Sequence, residues 1–454
     1  MKVLLVSTSD QKGGAGIACL RIFRALRKYS NDEVDMLVRD RQSDEPGVHT
    51  VNTNWFRKCV NLLTFCMERL QILFLLRFRK KYLYHVSIDN FGVVGLLDHP
   101  LVKNADVINF HWTSQSMLSL KQLEKLLNMG KRIVFTMHDM HYFTGICHYA
   151  RSCERYLVGC GNCYFLGRGK GENDFSRRWF ERKLSIQNRQ TISFVGCSQW
   201  LTDLAKRSKV FKDMRVINIP NPIDTSVYRA IDKDDAREQF GVTGKYVVLF
   251  GAYSVKDKRK GFHYLERALN YIHAKYPGYD DVIELLTFGK GDPSMLSNLP
   301  YRSKSVGYIT DEKTLVALYS AADVFVIPSL EDNLPNTVME SLSCSVPCVA
   351  FDAGGLSQLI DHKRNGYLAK YRDHEDLANG IMEILQAVDR NVMRHAARKK
   401  VEEYFSETVI AMKYRELYRI EEMMLPETAF DTALHTPANK KISIVYGVFS
   451  FRFL

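Results

Sequence analysis

Two carboxylates in the second half of the chain have the spacing of groups that bind two parts of one extended ligand. Asp332 and Glu340 lie in the segment 329–351, directly after an apolar run that is typical of a buried strand. Eight residues of helix correspond to about 12 Å at 1.5 Å per residue. That separation suits a sugar and a ribose joined by a diphosphate. It is too long to indicate a hydrolase that uses a paired carboxylate site.

A basic loop precedes these carboxylates. The segment 250–262 carries Lys256, Lys258, Arg259 and Lys260 between a strand-like run and a helical pattern. Cations in front of a helix can bind a diphosphate, because arginine supplies a bidentate fork and lysine supplies a point charge. A solvated basic turn is the alternative interpretation of this loop taken alone.

A glycine-rich loop, residues 10–16, follows the first strand-like run and opens the first helical pattern. Its glycines, Gly13, Gly14 and Gly16, would let backbone N–H groups approach an anion at the positive end of a helix dipole. A purely structural turn is the alternative. The loop lacks the G-x-G-x-x-G spacing of a dinucleotide fingerprint, which argues against a nicotinamide dehydrogenase.

Four cysteines lie close together in the first half of the chain: Cys147, Cys153, Cys160 and Cys163. Their spacing, C-x5-C-x6-C-x2-C, ends on the close pair that metal knuckles use and supplies four soft ligands for tetrahedral zinc. We expect either a structural zinc that holds a loop in shape or a cluster of reduced thiols without metal. Disulfides and an iron–sulfur centre are further alternatives.

Apolar runs that are typical of strands alternate with helical patterns along the whole chain. Near-continuous apolar strands between helices predict parallel sheets covered on both faces, and the pattern occurs twice. The predicted fold class is therefore α/β, with two Rossmann-like, doubly wound parallel-sheet domains facing each other across a cleft. The runs are 3–6, 34–37, 106–110, 132–137 and 192–197, then 246–251, 282–289, 305–309, 323–328 and 347–351.

The predicted boundary between the two domains is the segment 219–230, where two prolines and an aspartate interrupt the periodicity. We expect a terminal helix to follow the second domain and to pack back on the first, and the pattern predicts no structure for the tail beyond it. The predicted units are an N-terminal domain, 1–225, a C-terminal domain, 226–405, the terminal helix, 406–424, and the tail, 425–454.

His138 lies directly after the strand-like run 132–137. Ligands of doubly wound sheets bind at the carboxyl ends of the strands, so we expect this histidine to face the cleft. A histidine satisfied within the core is the alternative.

Composition and charge restrict the class of protein and its partners. The 454 residues are 46% hydrophobic and 25% charged, which indicates a globular protein and excludes a disordered, collagenous or coiled-coil chain. Residues 1–225 hold 34 Lys and Arg against 20 Asp and Glu, whereas residues 226–454 hold 29 against 31. A basic half predicts an anionic partner, and the lack of a basic–aromatic stacking module argues against nucleic acid.

The basic stretch 55–85 contains seven Lys and Arg and one acidic residue, Glu68. Its composition fits an amphipathic helix on an anionic membrane surface and equally fits a core helix with a basic end. No uninterrupted apolar run of about 18 residues predicts a spanning helix. Ten cysteines and no secretion signal predict a reducing compartment. We therefore expect a cytoplasmic protein, peripheral on the inner face of the membrane.

The order of several short motifs resembles the retaining glycosyltransferase family 4, of the GT-B architecture and the polysaccharide-biosynthesis type. The resemblance covers roughly residues 1–422 and implies a glycosyltransferase that needs no metal or other cofactor for catalysis. The motifs are GGAG, HDMHYFTG, IPNPID, RKG, SLEDNLPNTVME, AGGL and HKRNGYLA.

The resemblance also implies roles for single residues. Asp332 and Glu340 fill the two acidic positions of the family, for the donor sugar and the ribose. Lys260 matches the phosphate-binding lysine, and either Arg259 or a lysine of the lengthened loop stands in for the arginine that the family has at the position of Ala252. His138 matches a histidine near the donor sugar, so the implied catalytic residues are Asp332, His138 and Lys260. The remaining implied substrate contacts are Gly13, Gly14, Gly16, Arg259, Glu331, Asn333, Leu334 and Glu340.

The leading functional hypothesis is transfer of a sugar from a nucleoside-diphosphate sugar to a glycan or lipid-linked acceptor in surface polysaccharide biosynthesis. A sugar-nucleotide epimerase of similar fold and a nucleotide-binding homologue without activity are the alternatives. The expected partners are the sugar nucleotide, the acceptor and an anionic membrane surface, with no nucleic acid.

Overall fold

The computed structural model describes residues 1–187 and 192–423. The N-terminal domain is built on a seven-stranded, wholly parallel sheet of order β3-β2-β1-β4-β5-β6-β7. The central strands are buried along almost their whole length because helices cover both faces. The strands are β1 (Lys2–Ser9), β2 (Glu33–Asp40), β3 (Val48–Thr50), β4 (Val107–Phe110), β5 (Arg132–Met137), β6 (Ile192–Gly196) and β7 (Val216–Asn218).

Six α-helices of the described residues surround this sheet. Helix α4 begins with a capping box, in which Ser119 and Gln122 satisfy each other's backbone N–H groups. The helices are α1 (Gly13–Tyr29), α2 (Trp55–Leu75), α3 (Pro100–Asn104), α4 (Leu120–Asn128), α5 (Phe175–Gln187) and α6 (Gln199–Arg207). Short 3-10 helices at Lys80–Tyr82, His141–Phe143, Arg155–Leu157 and Tyr164–Gly169 shape the long connections.

The C-terminal domain repeats the plan with a six-stranded parallel sheet of order β10-β9-β8-β11-β12-β13. Its strands are β8 (Tyr246–Ser254), β9 (Ile283–Lys290), β10 (Arg302–Ser305), β11 (Val324–Ile327), β12 (Cys348–Phe351) and β13 (Gly366–Ala369). Its helices are α7 (Lys233–Phe240), α8 (Phe262–Lys275), α9 (Glu312–Ala321), α10 (Asn336–Ser343), α11 (Leu356–Leu359), α12 (His374–Gln386) and α13 (Arg390–Tyr404), with 3-10 helices at Lys258–Lys260, Pro277–Tyr279 and Pro293–Leu296.

The last helix, α14 (Glu407–Met423), packs on the sheet of the first domain. The Tyr414 hydroxyl lies 3.1 Å from Thr136 Oγ1 on β5, and the Asn109 amide on β4 donates to the Tyr418 hydroxyl at 2.8 Å. The chain therefore crosses back to its first domain before residue 424. The segment 425–454 lies outside the described residues.

Two parallel-sheet domains facing across a cleft confirm the predicted fold class. The carboxyl ends of both sheets point into the cleft, and hydrogen bonds join its walls. Ser198 Oγ of the first domain donates to Asn333 Oδ1 at 2.5 Å, and Asn333 Nδ2 donates to the His138 carbonyl at 3.1 Å. The cleft is thus closed at its floor by contacts between the domains.

Helix α2 differs from one of its two predicted forms. Only Asn61, Glu68, Arg69 and Ile72 of its 21 residues are buried, so the core-helix interpretation of the basic stretch is wrong. No helix within residues 1–187 and 192–423 has the length and apolarity needed to cross a bilayer.

Candidate active site

The cleft between the domains forms a cavity of about 380 Å³ that both sheets line. Most of the residues that the sequence predicts for the site come together there. Those that line it are Gly13, Gly14, His138, Arg259, Lys260, Asp332, Asn333, Leu334 and Glu340. Residues that are far apart in the sequence, from Gly13 to Glu340, thus line one cavity.

Two predicted site residues do not line this cavity. A Cβ on Gly16 would lie 2.8 Å from the Ser9 carbonyl oxygen, so this glycine allows α1 to pack closely on β1. Glu331 lies beside Arg259 and Arg151, and burial raises the pKa of its carboxyl against their attraction. Gly16 therefore has a packing role, and of the two neighbouring carboxylates it is Asp332 that lines the cavity.

Lys260 and Asp332 form an ion pair in the cleft wall. The lysine Nζ donates to Asp332 Oδ2 at 2.5 Å, and Ser329 Oγ donates to the same oxygen at 3.2 Å. Burial alone would raise the pKa of Asp332, but Lys260 and Arg259 hold it below its usual value. Asp332 is therefore ionised, and two cations lie beside it where a diphosphate could bind.

Arg259 and a glycine behind the carboxylate fix this wall. Arg259 donates to the Glu331 carbonyl at 2.8 Å, and its guanidinium lies over the ring of Tyr149 from the first domain at 4.8 Å. Gly354 adopts φ +62°, and a Cβ there would lie 1.9 Å from the Asp332 carbonyl oxygen. The loop after β12 can therefore support the turn that carries Asp332 only with glycine at this position.

Glu340, in the second turn of α10, is held from both domains. Arg21 of α1 donates to Glu340 Oε1 at 2.7 Å, and the Tyr319 hydroxyl of α9 donates to Oε2 at 2.9 Å. Arg21 is only 5% exposed, and its Nη1 has no hydrogen-bond partner among the described residues. Sequence analysis missed both partners. The Arg21 guanidinium also stacks over Tyr228, at 4.9 Å from the ring centroid.

His138 lies at the end of β5 with both ring nitrogens next to protein groups. Its Nε2 lies 3.1 Å from His111 Nδ1, and its Nδ1 lies 3.5 Å from Cys197 Sγ. Burial lowers the pKa of His138 to about 4, against the weaker attraction of Asp139. The imidazole is therefore neutral near pH 7, and its ring edge reaches the cleft.

This depressed pKa predicts a pH-dependent stability. The unfolded chain protonates His138 near its ordinary value of about 6.5, so it binds more protons than the folded state between about pH 6.5 and 4. Stability should fall as the pH drops through that window, by on the order of 3 kcal/mol in total for this one group. Urea unfolding of the wild type and of His138→Gln, at about pH 7 and about pH 5, measures the difference.

The neighbouring groups shape the control for this experiment. Burial also lowers the pKa of His111, which is unchanged in the variant. Burial would raise the pKa of Asp139, but the contact with His148 outweighs it and holds that pKa at about 2, below the pH window of the experiment. His395→Gln, at an exposed position on α13, should keep the wild-type dependence. An unchanged slope in His138→Gln would refute the prediction.

Asp139, next to His138, is a cleft residue that the sequence analysis did not single out. His148 Nδ1 lies 2.7 Å from Asp139 Oδ2, and Ser87 Oγ lies 3.0 Å from His148 Nε2. The order of these contacts resembles a nucleophilic triad, but Ser87 is 1% exposed and sits behind the histidine. The chain of contacts therefore orients the carboxylate of Asp139 at the cleft and activates no serine.

The zinc site in the cysteine-rich loop stays a prediction, and burial, followed by the neighbouring Cys160, Cys163 and Cys153, raises the pKa of Cys147. The described residues contain no group of three or more His, Cys, Asp or Glu that could hold a metal ion. Cys153 is exposed, and Cys160 Sγ accepts a hydrogen bond from the Gly145 N–H at 3.2 Å. Burial raises the pKa of Cys160 to about 12, so it is a thiol.

Asp174 performs the structural task expected of the metal. Its carboxylate accepts from the backbone N–H of Cys163 at 2.8 Å and of Ser176 at 2.9 Å, and from the Ser176 hydroxyl at 2.6 Å. It thereby ties the cysteine loop to the start of α5. A buried carboxylate surrounded by N–H groups fixes this part of the loop.

The second domain is similar in sequence to known glycosyltransferases. Residues 244–387, most of that domain, match the family described as Glycosyl transferases group 1. A colanic acid biosynthesis glycosyl transferase, WcaC, of Escherichia coli K12 is 26% identical over 60% of this chain. An Escherichia coli UDP-Gal:alpha-D-GlcNAc-diphosphoundecaprenol alpha-1,3-galactosyltransferase is 25% identical over 45% of the chain. The matched stretches span 66% and 54% of these relatives, less than two thirds of either.

Solved structures share the whole two-domain arrangement. Anabaena Alr3699/HepE in complex with UDP and glucose superposes with a TM-score of 0.62 at 17% identity, over 92% of this chain and 99% of that one. Sucrose-phosphate synthase from Thermosynechococcus elongatus gives 0.61 at 19% identity, over 93% and 99%. Residues 244–387 therefore match the group 1 glycosyltransferase family, and the described chain has the two-domain GT-B fold predicted from the sequence.

Proposed function

We propose that this protein transfers a sugar from a nucleoside-diphosphate sugar to a glycan or lipid-linked acceptor, with retention of anomeric configuration and without a metal ion. The observation that carries the proposal is the pair of cations, Lys260 and Arg259, beside the ionised Asp332 in the cleft. They lie in the part of the chain that matches the glycosyltransferase family.

The donor would lie along the second domain. A carboxylate has about four acceptor positions on its two oxygens, and Arg21 and Tyr319 use two of those on Glu340. The remaining positions can accept from the ribose hydroxyls, while Asp332 accepts from the donor sugar. Because the similar Anabaena protein was solved in complex with UDP and glucose, UDP-hexoses are the first donors to test.

The reaction breaks the bond between the anomeric carbon and the diphosphate oxygen, which leaves with the electron pair. The acceptor hydroxyl oxygen forms the new bond to that carbon and passes its proton to an oxygen of the departing diphosphate. Lys260 and Arg259 would neutralise the departing diphosphate, which is the task that a divalent cation has in other glycosyltransferases. Retention is supported by the resemblance to the retaining family 4.

The acceptor is proposed to be lipid-linked, in surface polysaccharide biosynthesis. The names of two relatives, the Escherichia coli galactosyltransferase and a Campylobacter jejuni N-acetylgalactosaminyltransferase, both include a diphospho-undecaprenol acceptor. The basic N-terminal domain supports a location on the inner face of an anionic membrane, where such an acceptor would be reached.

Transfer assays with purified protein test the proposal. Labelled UDP-hexoses and other sugar nucleotides are incubated with a short-chain polyprenyl diphosphate sugar, with and without EDTA, and the product's anomeric configuration is read by NMR. We expect transfer with retention that EDTA does not abolish. The proposal would be contradicted by epimerised donor, by hydrolysis alone, or by nucleotide binding without turnover of any donor. Asp332→Asn is the matched low-activity control.

A further inference from the structure

Helix α2 has its polar and apolar faces reversed relative to a helix that packs on a core. Among its buried residues are Asn61, Glu68 and Arg69, whereas Leu63 and Phe74 are 59% and 57% exposed. A surface helix of a globular protein normally turns its apolar stripe inward. The outward face of α2 is therefore apolar where a surface helix is normally polar, although Ile72 packs inward on the core.

Hydrogen bonds hold the helix in this orientation. Asn61 donates to Asn52 Oδ1 at 2.8 Å and accepts from the Val94 N–H at 2.7 Å. Glu68 pairs with Arg69 at 2.9 Å and accepts from Ser116 Oγ at 2.8 Å. Because Asn52, Val94 and Ser116 lie in loops of the first domain, rotation of α2 to bury its apolar side would break the contacts with all three.

The outward face forms a continuous apolar surface, here called the outer stripe. Between Lys58 and Arg77 the only charged residues are Glu68 and Arg69, and both are buried. The outer stripe is therefore free of charge over nearly the full length of the helix. Its members, each 45–76% exposed, are Trp55, Phe56, Leu62, Leu63, Met67, Leu70, Phe74 and Phe78.

Basic residues flank the outer stripe at both ends. Arg57 and Lys58 lie at its start, and four more follow at Arg77, Arg79, Lys80 and Lys81. None of these six makes an ion pair with any residue of 1–187 or 192–423. A stripe of aromatic and aliphatic side chains with cations at its ends is complementary to a bilayer whose surface is anionic.

We propose that the outer stripe inserts into the interfacial region of an anionic bilayer, with α2 lying in the membrane plane and its terminal cations on the headgroups. The inference rests on the proposed lipid-linked acceptor and goes beyond it, because it assigns attachment to apolar insertion and not to charge alone. It commits α2 to lipid, in place of a protein partner or a second copy of the chain.

The segment after α2 connects this surface to the cleft. The His85 carbonyl accepts from the His148 N–H at 3.1 Å, and the Ser87 hydroxyl contacts the His148 ring, which in turn orients Asp139. A lipid-linked acceptor whose chain stays in the leaflet would thus have its polar head presented along residues 82–87 toward the cleft wall of the first domain.

Vesicle binding tests the proposal with variants matched for exposure. Leu63→Ser with Leu70→Ser removes two outer-stripe side chains, 59% and 52% exposed; Val392→Ser with Met412→Ser removes two exposed apolar side chains elsewhere, 67% and 61% exposed. On vesicles of phosphatidylcholine and phosphatidylglycerol in equal parts, we expect the first variant to lose on the order of 100-fold in partitioning and the second to match the wild type. Because salt screens the attraction between charges but not the insertion of apolar side chains, part of the wild-type vesicle binding should persist at high salt.

Trp55 supplies a second readout that needs no variant. It is 76% exposed on the outer stripe, and brominated phosphatidylcholine in anionic vesicles should quench it. Three results would each overturn the proposal. The Leu63→Ser/Leu70→Ser variant could bind vesicles as the wild type does, or bound protein could show no quenching. The wild type could also be a dimer in solution that this variant converts to a monomer. Transfer to a water-soluble acceptor should be equal in both variants, so loss of transfer and loss of insertion are distinguishable.

Discussion

Lys260→Ala is expected to lower turnover by a factor on the order of 100 or more, with the protein still folded. The lysine is the cation nearest the ionised Asp332, at 2.5 Å, and only 18% of its side chain is exposed. A preorganised charge in a site that excludes water stabilises the developing diphosphate more than a solvated charge would. Initial rates under saturating donor, together with thermal melting, measure the effect separately from any loss of stability.

Lys258→Ala is the matched control for this prediction. Lys258 lies in the same 3-10 helix, is exposed and makes no ion pair within the described ranges. Its replacement removes the same charge from the same loop and should change turnover only slightly. Near-normal turnover in Lys260→Ala, or activity that EDTA abolishes and manganese restores, would show that the lysine does not replace a metal ion.

Apolar periodicity predicted almost all of the buried strands, but it missed the edge strands β3 and β7 and misplaced the edge strand β10. The run 305–309 was expected to be a strand, but the strand is Arg302–Ser305, and the run forms a loop whose Tyr308 and Ile309 line the cleft. Strand β10 alternates between exposed and half-buried residues because it lies at the edge of the sheet. A search for continuous apolar runs cannot find such a strand, since one side of it faces water.

The site residues that the sequence could supply are those with a local signal. Asp332 and Lys260 stand in loops that follow strands, where the fold places ligands, and Glu340 lies in the helix that follows the loop of Asp332. Arg21 has no such signal: the spacing of Arg21, Arg24 and Lys28 puts all three on one face of α1. Arg21 is buried only because the second domain, more than 300 residues later in the chain, packs against it. Arg24 and Lys28 stay partly exposed.

The cysteine loop shows a different limit of local signals. The four-cysteine spacing predicts a metal, and Asp174, a single carboxylate between backbone N–H groups, ties the same loop to the start of α5. Spacing along the chain records which ligands are available. It does not record whether their sulfur atoms converge, because that depends on the path of the loop between them.

Glu340→Gln is expected to weaken nucleotide binding at least tenfold and to destabilise the fold by about 3 kcal/mol, since it leaves a buried arginine without its carboxylate. Arg21 and Glu340 are 6% and 8% exposed in their side chains and join α1 of the first domain to α10 of the second. The substitution keeps the shape of the side chain but removes the charge that Arg21, Tyr319 and a bound ribose would share. Calorimetric titration with UDP and urea unfolding give the two quantities.

Two further variants separate the roles of this ion pair. Arg21→Met should destabilise the fold while leaving the carboxylate available to the ribose, so its loss of nucleotide affinity should be smaller than that of Glu340→Gln. Arg24→Met, one turn along the same helix, breaks the ion pair between Arg24 and Glu45, whose side chains are 37% and 29% exposed. It should lower the free energy of unfolding by less than about 1 kcal/mol. If Glu340→Gln bound UDP as tightly as the wild type, Glu340 would be only a domain contact. The ribose would then have to be held by other residues of the cleft.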